Sequence, residues 1–117
     1  MLVLFLRVAL VGCLLLTEVG CTGQRRKEAE LRDDLTALRI SVDEYLQRYW
    51  HRPTSLQDLV QGGYLKEPPV DPVTGRSDTW RITIGRDRRT PNEPPGIIEI
   101  HSGSDAVGFD GRRYSDW

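Results

Sequence analysis

The chain has 117 residues, which is enough for one small domain and a targeting segment but not for two hydrophobic cores. Its net charge is −1 and its acidic and basic residues are interleaved, as in the run Arg86–Arg89. The sequence therefore predicts no continuous basic surface for a nucleic-acid backbone, and no nucleic-acid partner is expected. Both cysteines lie at or before position 21, which excludes a disulfide within the rest of the chain.

Residues 1–21 form an apolar N-terminal segment. Its uncharged run Val8–Leu16 is too short to span a bilayer alone and is typical of the apolar core of a secretory signal, with Arg7 before it. Cys21 follows a small residue, Gly20, and precedes polar sequence. This pattern resembles a bacterial lipoprotein processing site, where the cysteine is acylated, and it predicts lipidation of Cys21.

An uncleaved helical anchor is the alternative for this segment. Arg7 and Glu18 lie near its ends, where charged side chains can reach the membrane interface. The basic run Arg25–Lys27 directly after the segment disfavours export of an uncleaved span, because cytoplasmic flanks carry the excess of positive residues. Both interpretations of the anchor stay open.

A long amphipathic helix is predicted from about Lys27 to Trp50. Apolar residues recur there at alternating spacings of four and three, which places them on one helical face. They are Leu31, Leu35, Leu38, Val42, Tyr45 and Tyr49. Glu28 with Arg32 and Glu44 with Arg48 add acid-before-base spacings of four. Only about three heptads fit the pattern, too few for a confident coiled coil, so we expect this face to pack on the chain's own sheet.

A turn and a short second helix follow. Pro53 ends the long helix, because the residue before a proline avoids helical geometry. Thr54 and Gln57 have the spacing of a capping box and are predicted to open the second helix. Gly62 and Gly63 are expected to end it in the left-handed conformation.

Two strands are predicted beyond a proline-rich connection, because apolar and polar residues alternate there with period two. The inward positions are Trp80, Ile82 and Ile84 on the first strand and Ile98 and Ile100 on the second. A glycine- and aspartate-rich loop completes the chain. Residues 22–117 are thus predicted to form an α+β domain, with a long helix packed on a small antiparallel sheet.

Residues that could carry catalysis are few. His51 and His101 show no paired spacing for zinc, and the domain has no cysteine. Ser102 and Ser104 near His101 lack the strand–turn–helix glycine frame of a nucleophile elbow. The sequence therefore predicts a protein that is not an enzyme. The large aromatic side chains expected in or at the edge of the core are Tyr45, Tyr49, Trp50 and Trp80.

Several motifs resemble those of type II secretion pseudopilins, and they occur in the family's order. The matching segments are Ala29–Leu35 with Asp43–Tyr45 in the long helix, Arg52–Leu59 in the turn after it, Gly63–Gly75 with the Gly-Tyr-Leu and Asp-Pro signature, and residues 101–117 in the C-terminal loop. The likeness covers roughly residues 26 to 117. It is closest to the major pseudopilins and implies a pilin-like fold.

The N-terminus departs from that family. Pseudopilins have a cleavage-site glycine, then phenylalanine, then glutamate at the fifth mature position, whereas here Gly12 is followed by Cys13 and Glu18 is sixth after the glycine. The resemblance implies a structural or accessory subunit of a type II secretion or type IV pilus-like machine. It would be membrane-tethered with its head in the periplasm of a bacterium, and its partners would be other pseudopilins or secretion-machine components. A stand-alone envelope lipoprotein acting as a binding module is the alternative.

The resemblance also implies a Ca²⁺ site, because the family's C-terminal loop binds calcium through aspartates and backbone carbonyls. The acids in this loop are Asp105, Asp110 and Asp116. Calcium takes six to eight oxygen ligands, which a glycine-rich loop can supply. The alternative is that these aspartates cap turns through bonds to the backbone.

Overall fold

The computed structural model describes the backbone of Leu2–Trp117 and the side chains from Thr22 onward. Helix α1 is Leu2–Tyr49, helix α2 is Leu56–Gln61, strands β1 and β2 are Arg81–Gly85 and Gly96–His101, and a 3-10 turn is Tyr114–Asp116. The chain is therefore α+β, as predicted. Among the described residues, no helix is both long and apolar enough to cross a membrane. The lipidation prediction for Cys21 falls outside the described side chains.

The apolar face of α1 forms the centre of the core, which confirms the helical periodicity. Leu31 and Leu38 are fully buried, Leu35 and Val42 nearly so, and the core continues into Trp80. Tyr45 packs at the edge of the core, as predicted. The prediction was wrong for Tyr49 and Trp50, which are 41% and 84% exposed, because α1 ends there and leaves the core.

The predicted acid–base pairs on α1 do not form ion pairs in the part of the chain that the structure describes. The Arg32 guanidinium lies 4.6 Å from the Trp117 ring centroid, and the Arg48 guanidinium lies 5.9 Å from that of Tyr49. Glu28 is only 4% exposed and points into the domain. The two arginines therefore lie beside aromatic rings, and Glu28 turns to buried donors, in place of the partners that the spacing predicted.

Helix α2 begins one residue later than the capping-box spacing predicts. Its N-cap is Ser55, whose Oγ accepts from Asp58 N at 3.3 Å. The Asp58 carboxylate accepts from both N and Oγ1 of Thr54, at 2.8 and 2.9 Å. The Thr54 bonds lower the pKa of Asp58. Of the two glycines that directly follow the helix, Gly63 has a positive φ of 82°, whereas Gly62 stays in the right-handed conformation.

The sheet has two antiparallel strands, with Ile82 opposite Ile100. The register shifts between Thr83 and Ile84, so that Ile84 pairs with Ile97 and Ile98 becomes the extra residue of a β-bulge. The bulge reverses the alternation. Ile97 is therefore buried and Ile98 is 38% exposed, which corrects the prediction that Ile98 faces the core. Ile84 on β1 was also predicted to face inward, and this was wrong, since it is 50% exposed.

Candidate functional site

Hydrogen bonds hold the C-terminal loop, Ser102–Trp117, against the rest of the domain at three places. At each place a polar side chain that lies far away in sequence bonds to the loop or to the end of β2 just before it. The three side chains are Asp71, Glu28 and Arg39. Together they set the shape of the surface that the loop presents.

Asp71 is completely buried and joins two segments of chain. Its Oδ2 accepts from Ser102 Oγ at 2.7 Å and from Gly103 N at 3.1 Å. Its Oδ1 accepts from Val73 N at 2.8 Å and Thr74 N at 3.3 Å, which closes the Asp-Pro turn. All four donors depend on one carboxylate, so this turn and the start of the C-terminal loop form one unit.

Glu28 holds the middle of the loop against α1. Its Oε1 accepts from Tyr114 Oη at 2.8 Å and from Phe109 N at 2.9 Å, while Gln24 Nε2 donates to Tyr114 Oη at 3.2 Å. Burial and the neighbouring Glu28 carboxylate raise the pKa of Tyr114, although the bond from Gln24 opposes that rise. The phenol therefore remains a hydrogen-bond donor at neutral pH.

Arg39 holds the last part of the loop. Its Nη2 donates to Ile100 O at 2.9 Å and to Trp117 O at 2.6 Å. His101 Nδ1 lies 3.1 Å from the same Trp117 oxygen. The loop therefore ends between α1 and β2. His101 is the last residue of β2, and it is half-buried.

Two of the three aspartates of the calcium prediction, Asp105 and Asp110, accept hydrogen bonds through their carboxylates from different partners, whereas Asp116 accepts from Arg112 Nη2 through its backbone oxygen at 2.8 Å. Asp105 accepts from Arg81 Nη2 at 3.0 Å and from Ser115 Oγ at 2.9 Å, and the Arg81 bond lowers the pKa of its carboxyl. Asp110 Oδ1 accepts from the nearby backbone N of Arg112, as a turn cap does. Within the described residues, no three His, Cys, Asp or Glu side chains are grouped closely enough to hold a metal ion.

This arrangement does not fit a calcium cage as it stands, because Arg81 places a cation beside Asp105. Binding would require Asp105 to leave Arg81 and approach Asp110 and Asp116. Calcium binding stays a prediction, and melting experiments can test it.

The calcium prediction expects the domain to melt at a higher temperature in millimolar Ca²⁺ than in chelator. Metal that binds only the folded state adds about 2.7 kcal/mol at a hundredfold excess over Kd. Asp110→Ala should remove the difference, and Mg²⁺ should substitute poorly because it demands stricter octahedral geometry. Identical melting of the unsubstituted chain in both solutions would leave the aspartates as turn and ion-pair residues only.

A group of aromatic residues lies at the end of α1 where the helix leaves the core. Trp50 has a φ of 60°, a left-handed conformation that is costly for a bulky side chain, and its N donates to Leu46 O at 2.9 Å. The ring centroids of Tyr45 and Tyr49 are 4.5 Å apart, and Tyr45 also contacts the rings of His51 and Tyr64. We call these five residues the aromatic end.

The serine and histidine side chains near the end of β2 are not arranged as a nucleophile and base. Ser102 is fully buried and its hydroxyl donates a hydrogen bond to Asp71. His101 contacts Trp117 O and lies 3.8 Å from Glu99. The Ser102 hydroxyl, which would have to attack a substrate, therefore bonds to a structural carboxylate instead. The sequence analysis missed Asp71, Glu28 and Arg39 as the residues that organise this loop.

One signal for Glu28 was present in the sequence. Glu28 lies three residues before Leu31, so it continues the alternating spacing of the apolar face toward the N-terminus. An acid on that face must find donors in the core. Comparison with known proteins adds no relationship, since no family model, no curated protein and no solved structure matches this chain.

Proposed function

We propose that the protein is a non-enzymatic, membrane-tethered subunit or accessory of a type II secretion or type IV pilus-like machine. The observation that carries this proposal is the division of α1 into two faces. Leu31 and Leu38 are buried under the head, while Ile40 on the opposite side is 50% exposed. A long helix that keeps a free face beside a small head can pack against neighbouring helices in an assembly.

The free face is suited to close helix contact. Ala29 and Ala37 lie on the same side of α1 as Ile40. Ala29 precedes Ile40 by eleven residues, close to three full turns, and Ala37 precedes it by three residues, about 60° around the helix. All three are exposed. Small residues let helix backbones approach one another, and Ile40 supplies apolar area to the contact.

Site-specific photo-crosslinking in the native host tests the proposal. A photoreactive residue at Ile40 should form adducts with pilin-like subunits or other components of the machine. Ile84 on β1 is a matched control, because it is also an isoleucine that is 50% exposed. The control should give few such adducts, and equal labelling from both positions would contradict packing through α1.

A function-linked variant complements the crosslinking. Ile40→Asp should reduce assembly or secretion while leaving the melting temperature nearly unchanged, because a half-exposed side chain contributes little to the core. Ile84→Asp should leave assembly intact.

The aromatic end favours a second candidate, a stand-alone envelope lipoprotein that binds a ligand. Trp50 is the most exposed of the large apolar side chains that the structure describes, and it occupies a strained backbone position. In the same crosslinking experiment, a photoreactive residue at Trp50 would then capture the partner while Ile40 stayed unlabelled. That result would reject the assembly proposal in favour of the binding module.

A further inference from the structure

One surface of the head lies beside the part of α1 that directly follows the N-terminal apolar segment. Val107 and Phe109 of the C-terminal loop are 56% and 49% exposed. The guanidinium of Arg25 lies 5.7 Å from the centroid of the Phe109 ring. Arg25 is six residues beyond Val19 and four beyond Cys21, or about 9 and 6 Å along the helix. Two exposed apolar side chains therefore lie next to the end of the apolar segment.

This surface is basic as well as apolar. Arg25, Arg26 and Lys27 are all exposed, and in the described part of the chain none of them has an acidic partner within 4 Å. The nearest helix acid, Glu28, is buried and engaged by Tyr114 and by the backbone of the loop. The three positive charges therefore remain available to an external anion.

An open cleft of about 430 Å³ separates α1 from the loop on this surface. Its lining includes Gly23 and Lys27 on the helix and Val107 on the loop. Apolar side chains beside a basic run are the composition of protein surfaces that lie in the interface of a membrane with anionic lipids.

We propose that this surface, formed by Arg25–Lys27 with Val107 and Phe109, docks on the anionic lipid headgroups of the bilayer that holds the N-terminal segment. The cations contact phosphate groups, and the two apolar side chains enter the interface between them. Docking fixes the tilt of α1 and the height of the head above the membrane. A bilayer is the favoured occupant because the surface adjoins the membrane anchor under both interpretations. The anchor is the uncleaved apolar segment in one, and in the other it is the acylated Cys21, four residues before Arg25.

The proposal does not depend on assembly through Ile40. A chain that fails to crosslink to pilin-like subunits can still dock on lipid, and a chain that assembles can fail to dock. Failure of crosslinking from Ile40 therefore rejects assembly without rejecting docking, and absence of quenching in the vesicle-bound chain rejects docking without rejecting assembly.

Tryptophan quenching by brominated lipids tests the docking. The full-length chain is reconstituted into vesicles of phosphatidylcholine, with and without phosphatidylglycerol, and flotation establishes that it is bound. Phe109→Trp adds an emission that brominated lipid should quench in the phosphatidylglycerol vesicles. Ile40→Trp is the matched control, since position 40 lies about 22 Å further along α1 than Arg25 and should stay unquenched.

Removing single positive charges measures the electrostatic contribution to docking on the bilayer. Arg25→Gln and Arg26→Gln should each lower the ratio of quenched to unquenched Phe109→Trp emission by about fivefold, the effect expected for one cation near an anionic surface. Val107→Trp repeats the measurement at the second apolar position if Phe109→Trp disturbs folding.

Three results would overturn the proposal. They are failure of the bound chain to show quenching at either position, equal quenching with and without phosphatidylglycerol, and failure of the chain to float with the vesicles. If the tryptophan of Phe109→Trp becomes shielded from solvent as protein concentration rises, whether or not lipid is present, the occupant of the surface is a second copy of the chain instead.

Discussion

Asp71→Ala should lower the free energy of unfolding by about 3 to 5 kcal/mol, the range expected when one partner of a buried charged network is removed. Hydrogen bonds to a charged group contribute about 1.5 to 3 kcal/mol each, and removing the buried carboxylate recovers part of that loss because its desolvation cost disappears. Four donors lose their acceptor together: Ser102 Oγ, Gly103 N, Val73 N and Thr74 N. Chemical denaturation of the purified chain measures the loss. A small domain has only about 5 to 15 kcal/mol of stability, so a loss of this size removes a large fraction of it.

Two further variants test whether the loss comes from the missing carboxylate and not only from the missing side-chain volume. Asp71→Asn keeps one acceptor oxygen and should lose less stability than Asp71→Ala. Asp110→Ala removes an exposed aspartate whose carboxylate accepts one backbone bond, and it should cost much less than Asp71→Ala. A loss below about 1 kcal/mol for Asp71→Ala would show that the turn and the loop are held by other contacts.

Leu38→Ala should cost about 2 to 5 kcal/mol, since Leu38 is fully buried and the shortened side chain leaves a cavity against the sheet. Ile40→Ala on the free face of α1 is the control and should change the free energy of unfolding by much less. A loss under about half a kcal/mol for Leu38→Ala would mean that the apolar face points outward, and it would favour a coiled coil.

The core of α1 and the existence of both strands could be predicted because periodicity reports which residues share a face. Leu31, Leu35 and Leu38 follow the helical spacing, and the structure buries all three. The bulge could not be predicted in this way. Two adjacent isoleucines, Ile97 and Ile98, fit either face of a strand equally well, and the strand pairing decides between them.

The residues that organise the candidate site were harder to predict than the core. The partners of Asp71 at Ser102 and Gly103 are 31 and 32 residues away, and no local pattern records such a distance. The Asp-Pro turn itself is visible in the sequence. Similarly, the spacing of the acids in the C-terminal loop did not reveal that Arg81 on β1 lies beside Asp105.

The bonds of Glu28 to Tyr114 and of Arg39 to Trp117 span 86 and 78 residues of sequence. Contacts of such long sequence separation form late, because the loop entropy must be lost before they contribute. A chain still on the ribosome therefore carries helix α1 with its apolar face uncovered until nearly the whole domain has been made. During that interval Leu31, Leu35 and Leu38, which the folded domain buries, are exposed to water, and transiently exposed apolar surface of this kind is prone to aggregation.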